Sequence, residues 1–430
     1  MKYCMVALAL TQAAFSTTVW TLEDCLKQAE KESLTLKVSK LSEQQADVSI
    51  KSAKSDRYPS LSANINNSLY DYPFKSGAQD HYSLTLGLNA SMTLWDGGAT
   101  SLSIETAQID KQESTLRTES TILSLRESVL NAYYSLLANK ESVQIAKSAL
   151  EVSEADYENN MKLYEAGSLT RSNLVLSKAD VAQNQVSVLT AEQTLDNSKT
   201  TLRQLLEIPR DEDFDIDGGG LDSLSSKSVP DLEPYEEIMT EIRQNYPALA
   251  ADSLASISAQ KNVKLAGKTN SITVTLGAAA ETGLSAWESD AYGTQLKDGY
   301  NHRLTLGITI PIIDAGTTTN NVLSAQIESA QTEITRQETL KSLENSVEQF
   351  YLNAVSAKLQ WEAAELQLEA SEAAFQVAED QKALGAITYT DYLEYKSEVD
   401  SAKLTLTQAK YTSLLANALL DLYRGKFGKN

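Results

Sequence analysis

Two stretches of this sequence, Ala99 to Ala166 and Thr317 to Leu384, contain neither glycine nor proline. Lacking both helix breakers, each reads as one unbroken helix. At 1.5 Å per residue such a helix reaches roughly 100 Å, more than a compact globule can bury along its length. Other scarcities narrow the function. A net charge of −21 leaves no basic face for nucleic-acid phosphates, so no nucleic-acid partner is expected. That charge suits a solvated surface and an acidic lumen equally. Of the two cysteines, Cys4 falls in a leader-like segment, which leaves Cys25 alone and allows no intrachain disulfide. The two histidines, His81 and His302, each stand just before a strand. No Ser/His/Asp, Cys/His or metal-ligand cluster is visible, so no catalysis, metal or cofactor is expected. No run reaches the ~20 consecutive apolar residues of a spanning helix. If the chain crosses a membrane, it must do so with strands.

What is present falls into an order that recurs. Lys2, the apolar Tyr3–Leu10 and Ala14-Phe15-Ser16 read as a signal peptide over residues 1–16, the alternative being a frayed apolar N-terminus. Thr21 to Ser55 reads as a helix, with Thr21 as N-cap and Asp24 at the capping-box position. Tyr58-Pro59 ends it. Leu61, Ala63 and Ile65 then alternate with Ser62, Asn64 and Asn66, a strand pattern. After a loop with Pro73 and Gly77, Leu84, Leu86, Leu88, Ala90, Met92 and Leu94 alternate with small or polar residues, a strand wet on one side. The first long helix follows, then Gly167, then a helix from about Thr170 to Leu206. An acidic, glycine-containing linker occupies 209–234. Beyond it Tyr235–Lys264 is helical, and Ile272, Val274, Leu276 and Ala278 mark a third strand. A loop holds Trp287, Tyr292, Gly293 and Gly299, and Leu304, Leu306, Ile308 and Ile310 mark a fourth strand. The second long helix ends at Gly385, and a last helix runs to Arg424.

This is an internal duplication, with repeat 1 over 17–208 and repeat 2 over 235–430. One constant offset carries Asp96 to Asp314, Gly98 to Gly316, Ala107-Gln108-Ile109 to Ala325-Gln326-Ile327, Tyr133 to Tyr351 and Gly167 to Gly385 without a gap. Within the long runs a 3-4 spacing selects Val129, Ala132, Leu136, Val143 and Ser153, and at the same offset Val347, Phe350, Ala354, Trp361 and Ser371. Both are heptad seams, which pack against neighbouring helices at coiled-coil angles. Breaks at Gly167 and Gly385 let each long helix fold back as an antiparallel hairpin.

Four strands cannot close on themselves. A transmembrane barrel needs at least about eight, and an open edge in lipid leaves backbone groups unpaired. The sheet therefore stays in water or pools strands with copies of itself. Tyr58, Tyr70, Tyr72, Phe74, Tyr82, Trp95, Trp287, Tyr292 and Tyr300 cluster near strand ends, where an aromatic girdle sits; a soluble sheet with edge aromatics is the alternative.

The repeated order of helix, two strands, very long helix, Gly turn and helix resembles the TolC-type outer-membrane efflux proteins. The resemblance is carried by Tyr58-Pro59-Ser60-Leu61, by the strand–helix junctions Leu94-Trp95-Asp96-Gly97-Gly98 and Ile310-Pro311-Ile312-Ile313-Asp314-Ala315-Gly316, and by the turns Gly167–Asn173 and Gly385–Leu393. It implies a mainly helical α+β chain that forms a homotrimer. Four strands per chain would build a twelve-stranded barrel in the outer membrane of a diderm bacterium, continued by an α-helical tunnel across the periplasm. Such a channel is a passive exit duct for efflux or type I secretion, fed by an inner-membrane RND or ABC transporter through a periplasmic adaptor. The alternative is a coiled-coil stalk without a pore, periplasmic or at the surface.

The resemblance also implies site residues. Gly167, Ser168, Leu169 and Thr170, with Gly385, Ala386, Ile387 and Thr388, are the adaptor-docking tips. Asp391 and Glu394, three apart on one helical face, match the acidic pair that rings the periplasmic constriction; their repeat-1 equivalents are Asn173 and Leu176. Where the family locks its tip with Tyr, Arg and Asp, this chain has Lys382, Ile387 and Asn173, so closure requires other contacts. Asp213-Phe214-Asp215-Ile216-Asp217-Gly218 matches half of a calcium loop, but position twelve is Leu224 rather than Glu; an acidic turn accounts for it without metal. Gly218-Gly219-Gly220 lacks the lysine of a phosphate loop.

Overall fold

The computed structural model describes residues 18–70, 81–211, 214–217, 232–285 and 291–427. The expected leader, the Gly218–Gly220 run and the aromatics Tyr72, Phe74 and Trp287 lie outside the described residues. In chain order the elements are β1 (Thr18–Trp20), α1 (Leu22–Glu32), α2 (Leu34–Ser55), β2 (Ser60–Tyr70), β3 (His81–Trp95), α3 (Ala99–Glu165) and α4 (Arg171–Leu205). There follow β4 (Phe214–Ile216), α5 (Tyr235–Asn245), α6 (Pro247–Ala266), β5 (Thr273–Ser285), α7 (Tyr292–Asp298), β6 (Asn301–Thr309), α8 (Thr317–Ala383) and α9 (Tyr389–Tyr423). Both breaker-free stretches are single helices of 67 residues. No described helix is long and apolar enough to cross a membrane.

Two expected helices are each split in the structure. The Thr21–Ser55 helix breaks at Ser33, whose backbone turns to ψ 123° while its hydroxyl accepts the Leu36 N–H at 3.3 Å. A serine there does what serines do best, capping a new helix rather than continuing the old one. The Tyr235–Lys264 helix breaks before Pro247. Tyr246 takes the extended conformation that a following proline imposes, and Pro247 opens α6, where its missing N–H costs nothing. The loop before β6 contains the short helix α7. The acidic linker contains β4, which pairs in parallel with β1. The capping box forms as read: Asp24 N–H donates to Thr21 Oγ1 and Thr21 N–H to Asp24 Oδ2.

The chain divides into two compact units, each built from both repeats. One takes residues 1–37, 120–246 and 342–430 and holds the hydrophobic cores. Its first core gathers Cys25, Val129, Tyr133, Leu136, Leu202, Leu206, Phe214 and Ile216. Seam residues of α3 thus face α1, α4 and the β1–β4 pair. Lys140 fixes β4 through Asp215 Oδ2 at 2.9 Å and the Ile216 carbonyl at 3.1 Å, and the Tyr133 hydroxyl donates to the Asp217 carbonyl at 2.9 Å. Half of the calcium-like motif is therefore strand, and one of its acids is spent on an ion pair. Burial pushes the Cys25 thiol up to about 12, leaving it an inert core residue. The second core sets Ile238, Met239 and Ile242 of α5 against Leu343 and Val347 of α8 and Leu420 of α9.

The other unit, 38–119 and 247–341, holds the sheet. Its helices meet through polar contacts: Lys111 to Asp47 at 2.6 Å, Arg117 to the buried Asp252 at 2.6 Å and Ser258 to Asp110 at 2.5 Å. The sheet is antiparallel in the order β2-β3-β5-β6, with no partner on the outer edges of β2 and β6 among the described residues. Beyond Glu281 the end of β5 outruns β6, and α7 fills the space: Ser285 N–H donates to Gln295 Oε1 at 2.7 Å and Thr282 Oγ1 to the Leu296 carbonyl.

Candidate functional site

Cross-strand register gives the sheet two unlike faces. Ile65 opposes Leu86, Ala90 lies between Leu61 and Ala278, and Leu276 lies between Met92 and Leu306. Leu61, Ile65, Leu304, Leu306 and Ile308 on this face are 61–76% exposed. Water would not leave five large aliphatic side chains uncovered on one face without reason. The opposite face carries Ser60, Ser62, Asn64, Thr85, Asn89, Ser91, Thr275 and Thr305, with Asn89 donating to Asn64 at 2.6 Å. Alternation of this kind, with the apolar face left uncovered, is the pattern of strands in a membrane-spanning barrel wall.

Both strand–helix junctions use one device. Asp96 accepts from Gly98 N–H at 3.0 Å, Thr100 N–H at 2.7 Å and the Thr100 hydroxyl. Asp314 accepts from Gly316 N–H at 3.1 Å and Thr318 N–H at 2.9 Å. Each carboxylate thus caps its long helix at the positive end of the macrodipole. Burial works against ionisation of Asp96, but the bonds from Thr100 and Gly98 outweigh it and hold its carboxyl below the usual range; Thr318 and Gly316 do the same for Asp314. Gly97 (φ 69°) and Gly98 (φ 88°) take left-handed conformations in the first junction, where the second has Ala315 (φ 51°) and Gly316 (φ 83°). Pro311 precedes this turn, beside the exposed Ile312 and Ile313.

The two hairpin tips repeat each other atom for atom in the backbone. Gly167 (φ 75°) donates to the Tyr164 carbonyl and Ser168 to that of Leu163; Gly385 (φ 69°) donates to Lys382 and Ala386 to Gln381. This is the Schellman closure, which needs a residue at ease with positive φ. Thr170 then caps α4 through Asn173 N–H, and Thr388 caps α9 through Asp391 N–H. Leu169 and Ile387 are half-buried at matching positions, and the other six tip residues named from sequence are exposed. Asp391 and Glu394 are both exposed at the start of α9, and neither carboxylate has a polar partner among the described residues.

Behind the tips lies a cluster that sequence reading did not assemble. Asp156 of α3 accepts from Lys382 Nζ of α8 at 3.3 Å and from the Tyr392 hydroxyl of α9 at 3.0 Å. The Lys382 ammonium also stands 3.6 Å from the Tyr392 ring centre and 5.5 Å from that of Tyr389. One turn further along, the buried Lys396 of α9 pairs with Asp180 of α4 at 2.9 Å. Both lysines come from the second hairpin and both aspartates from the first, so the two pairs clasp one hairpin to the other. Burial, then the Asp156 carboxylate, push the Tyr392 hydroxyl well above the usual tyrosine range, and burial lifts Tyr389 to about 12. Lys382, which stands where the family has a lock tyrosine, here contacts Asp156, Tyr389 and Tyr392. Tyr389, Tyr392 and Val399 continue the 3-4 seam on α9, and a lysine at the seam position Lys396 was the signal available in the sequence.

Comparison with known families shows where the chain belongs. The family model described as "Outer membrane efflux protein" matches residues 25–207 and 238–426. The chain belongs to that family. Its fold is shared with solved outer-membrane channels at low identity. CusC, in a study of its folding and transmembrane channel formation, is 19% identical with a TM-score of 0.79, over 98% of this chain and 96% of that one. The Campylobacter jejuni CmeC outer membrane channel is 17% identical with a TM-score of 0.77, over 94% and 86%. The open-state Neisseria gonorrhoeae MtrE outer membrane channel is 20% identical with a TM-score of 0.75, over 94% and 88%. Comparison with curated protein sequences finds no match. As a family member the chain is an efflux protein of the outer membrane, and the solved structures that share its fold are outer-membrane channels.

Proposed function

We propose that three copies of the chain pool their sheets into a twelve-stranded barrel and their hairpins into a tunnel. Through it an inner-membrane RND or ABC transporter passes its substrates outward by way of a periplasmic adaptor. The observation that carries this reading is the sheet itself. It is apolar and exposed on one face, polar on the other, and without a partner on the outer edges of β2 and β6 among the described residues. Joining β6 of one copy to β2 of the next satisfies both edges at once.

Within that duct the tips at Gly167–Thr170 and Gly385–Thr388 are the adaptor's docking points, and Asp391 and Glu394 ring the periplasmic end. Three copies place six carboxylates around the opening, which favours cations. The clasp of Asp156, Lys382 and Tyr392, with Asp180 and Lys396, keeps the paired hairpins of one chain together when that end is closed. Residues 1–16 act as a signal peptide removed on export.

The reading is tested by imaging the detergent-solubilised protein and recording it in planar bilayers. Three-fold rings with steady ionic conductance are expected; single chains that leave the bilayer tight would overturn it. Replacing Asp391 and Glu394 together by alanine is expected to lower cation selectivity. Unchanged selectivity would remove the ring assignment while leaving the duct.

A further inference from the structure

Among all residues of the four sheet strands, Glu281 and Arg303 are the only Asp, Glu, Lys or Arg. Both stand on the polar face. Arg303 opposes Ala279 on β5, and Glu281 opposes Gly87 on β3 and Asn301 on β6. Glu281 Oε1 lies 3.7 Å from Arg303 Nη2, with the side chains 35% and 62% exposed. At that separation the two charges offset each other without a hydrogen bond, and both remain open to whatever passes over them. Their neighbours on the same face are uncharged: Gly87, Asn89, Ala279, Gly283, Asn301 and Thr305. The two long side chains therefore stand among shorter ones.

Their place along the strands is equally specific. Glu281 and Asn301 form the last rung of the β5–β6 pairing, at the end of β6 remote from the α8 junction. Arg303 is separated from Thr309 by six residues of strand, about 20 Å. The exposed Asp391 and Glu394 belong to a helix start, not to the sheet. The two acids at the helix start and the sheet pair thus differ in chemistry, the first of one sign and the second of both.

Resting on the barrel reading above, we propose that Glu281 and Arg303 form a charge-balanced layer on the inner wall of the barrel, distinct from the acidic tips, that keeps the wall from selecting cargo by sign. In three copies it presents three carboxylates and three guanidinium groups to ions and charged solutes crossing an otherwise uncharged strand wall. Balance makes the layer indifferent to the sign of the cargo. Loss of either partner unmasks the other, with its full charge exposed in a narrow space.

The test is the reversal potential of the assembled protein in a planar bilayer under a potassium chloride gradient. Glu281→Gln is expected to move it towards the chloride potential, and Arg303→Gln towards the potassium potential. The exchanged double variant, Glu281→Arg with Arg303→Glu, is expected to return near the wild-type value. A pair that merely braced β5 against β6 would alter heat stability in both single variants without opposite shifts, and that outcome would overturn the proposal. Should a glutamine variant fail to assemble, Glu281→Cys labelled in the formed channel with a cationic or an anionic thiol reagent reads the same position, since Cys25 is buried. Labels of opposite sign that leave selectivity alike would also overturn it. A wild-type protein that does not conduct at all would instead remove the barrel reading, and this inference with it.

Discussion

Asp156 and Lys382, whose Oδ1 and Nζ atoms lie 3.3 Å apart, tie the end of one long helix to the end of the other. The same carboxylate accepts the Tyr392 hydroxyl at 3.0 Å, so a single side chain joins α3, α8 and α9. Asp156→Ala removes both bonds and leaves an ammonium against the Tyr392 ring without a counter-ion. We expect it to lower stability by about 1–3 kcal/mol and to raise single-channel conductance. Tyr392→Phe, which removes one neutral donor, should cost about 1 kcal/mol and open the channel less. Equal conductance in wild type and Asp156→Ala would show that the clasp has no part in closure.

Lys396 and Asp180 make the more deeply buried pair. Removing one partner of such a pair costs about 3–5 kcal/mol, because the other charge is left stranded. Asp180→Ala strands a buried ammonium and should cost that much. Lys396→Met removes the buried charge and keeps the volume, leaving a carboxylate that reaches solvent, and should cost clearly less. Denaturant titrations of the two variants decide it: similar losses would contradict the asymmetry.

Acid should loosen both strand–helix junctions. Asp96 and Asp314 have folded-state carboxyls held below their unfolded range. The stability they add is therefore complete at neutral pH and is lost as pH falls from about 4 through the folded value. Melting temperatures recorded between neutral pH and pH 3 should drop less steeply for Asp96→Asn with Asp314→Asn than for wild type, from a lower neutral starting point.

Ala315 holds φ 51° where the first repeat has Gly97. A side chain in that region costs roughly 1–2 kcal/mol, partly returned by the extra freedom glycine has when unfolded. Ala315→Gly should stabilise the chain by up to about 1 kcal/mol. Gly97→Ala should destabilise it by more, since a Cβ there would stand 2.4 Å from that of Ser271. Thermal melts of both variants check the pair.

Much of the fold is legible in the sequence. Breaker-free stretches and glycine turns marked both 67-residue helices to within a residue, because periodicity and helix breaking are local. Alternation along β3 marked a two-faced strand for the same reason. What escaped was either short or cooperative. The three-residue strands at Thr18 and Phe214 exist only because they find each other across the chain. Ser33 looks like any helix-surface serine until its hydroxyl reaches Leu36 N–H. The clasp draws on four helices, and no spacing within one of them lines up Asp156 with Lys382. Reading Lys382 only as a missing tyrosine hid what a lysine there does.

The two hairpin turns share one backbone, with glycine at the bend and threonine as the residue just before the next helix. One backbone thus carries two charge patterns. Exchanging Asn173 with Asp391 and Leu176 with Glu394 changes the charge of each turn while leaving Tyr389 and Tyr392 where the clasp needs them. An engineer can thereby move the exposed acids to the other hairpin, double them, or delete them, and separate recognition of turn shape from recognition of turn charge in a single set of chimaeras.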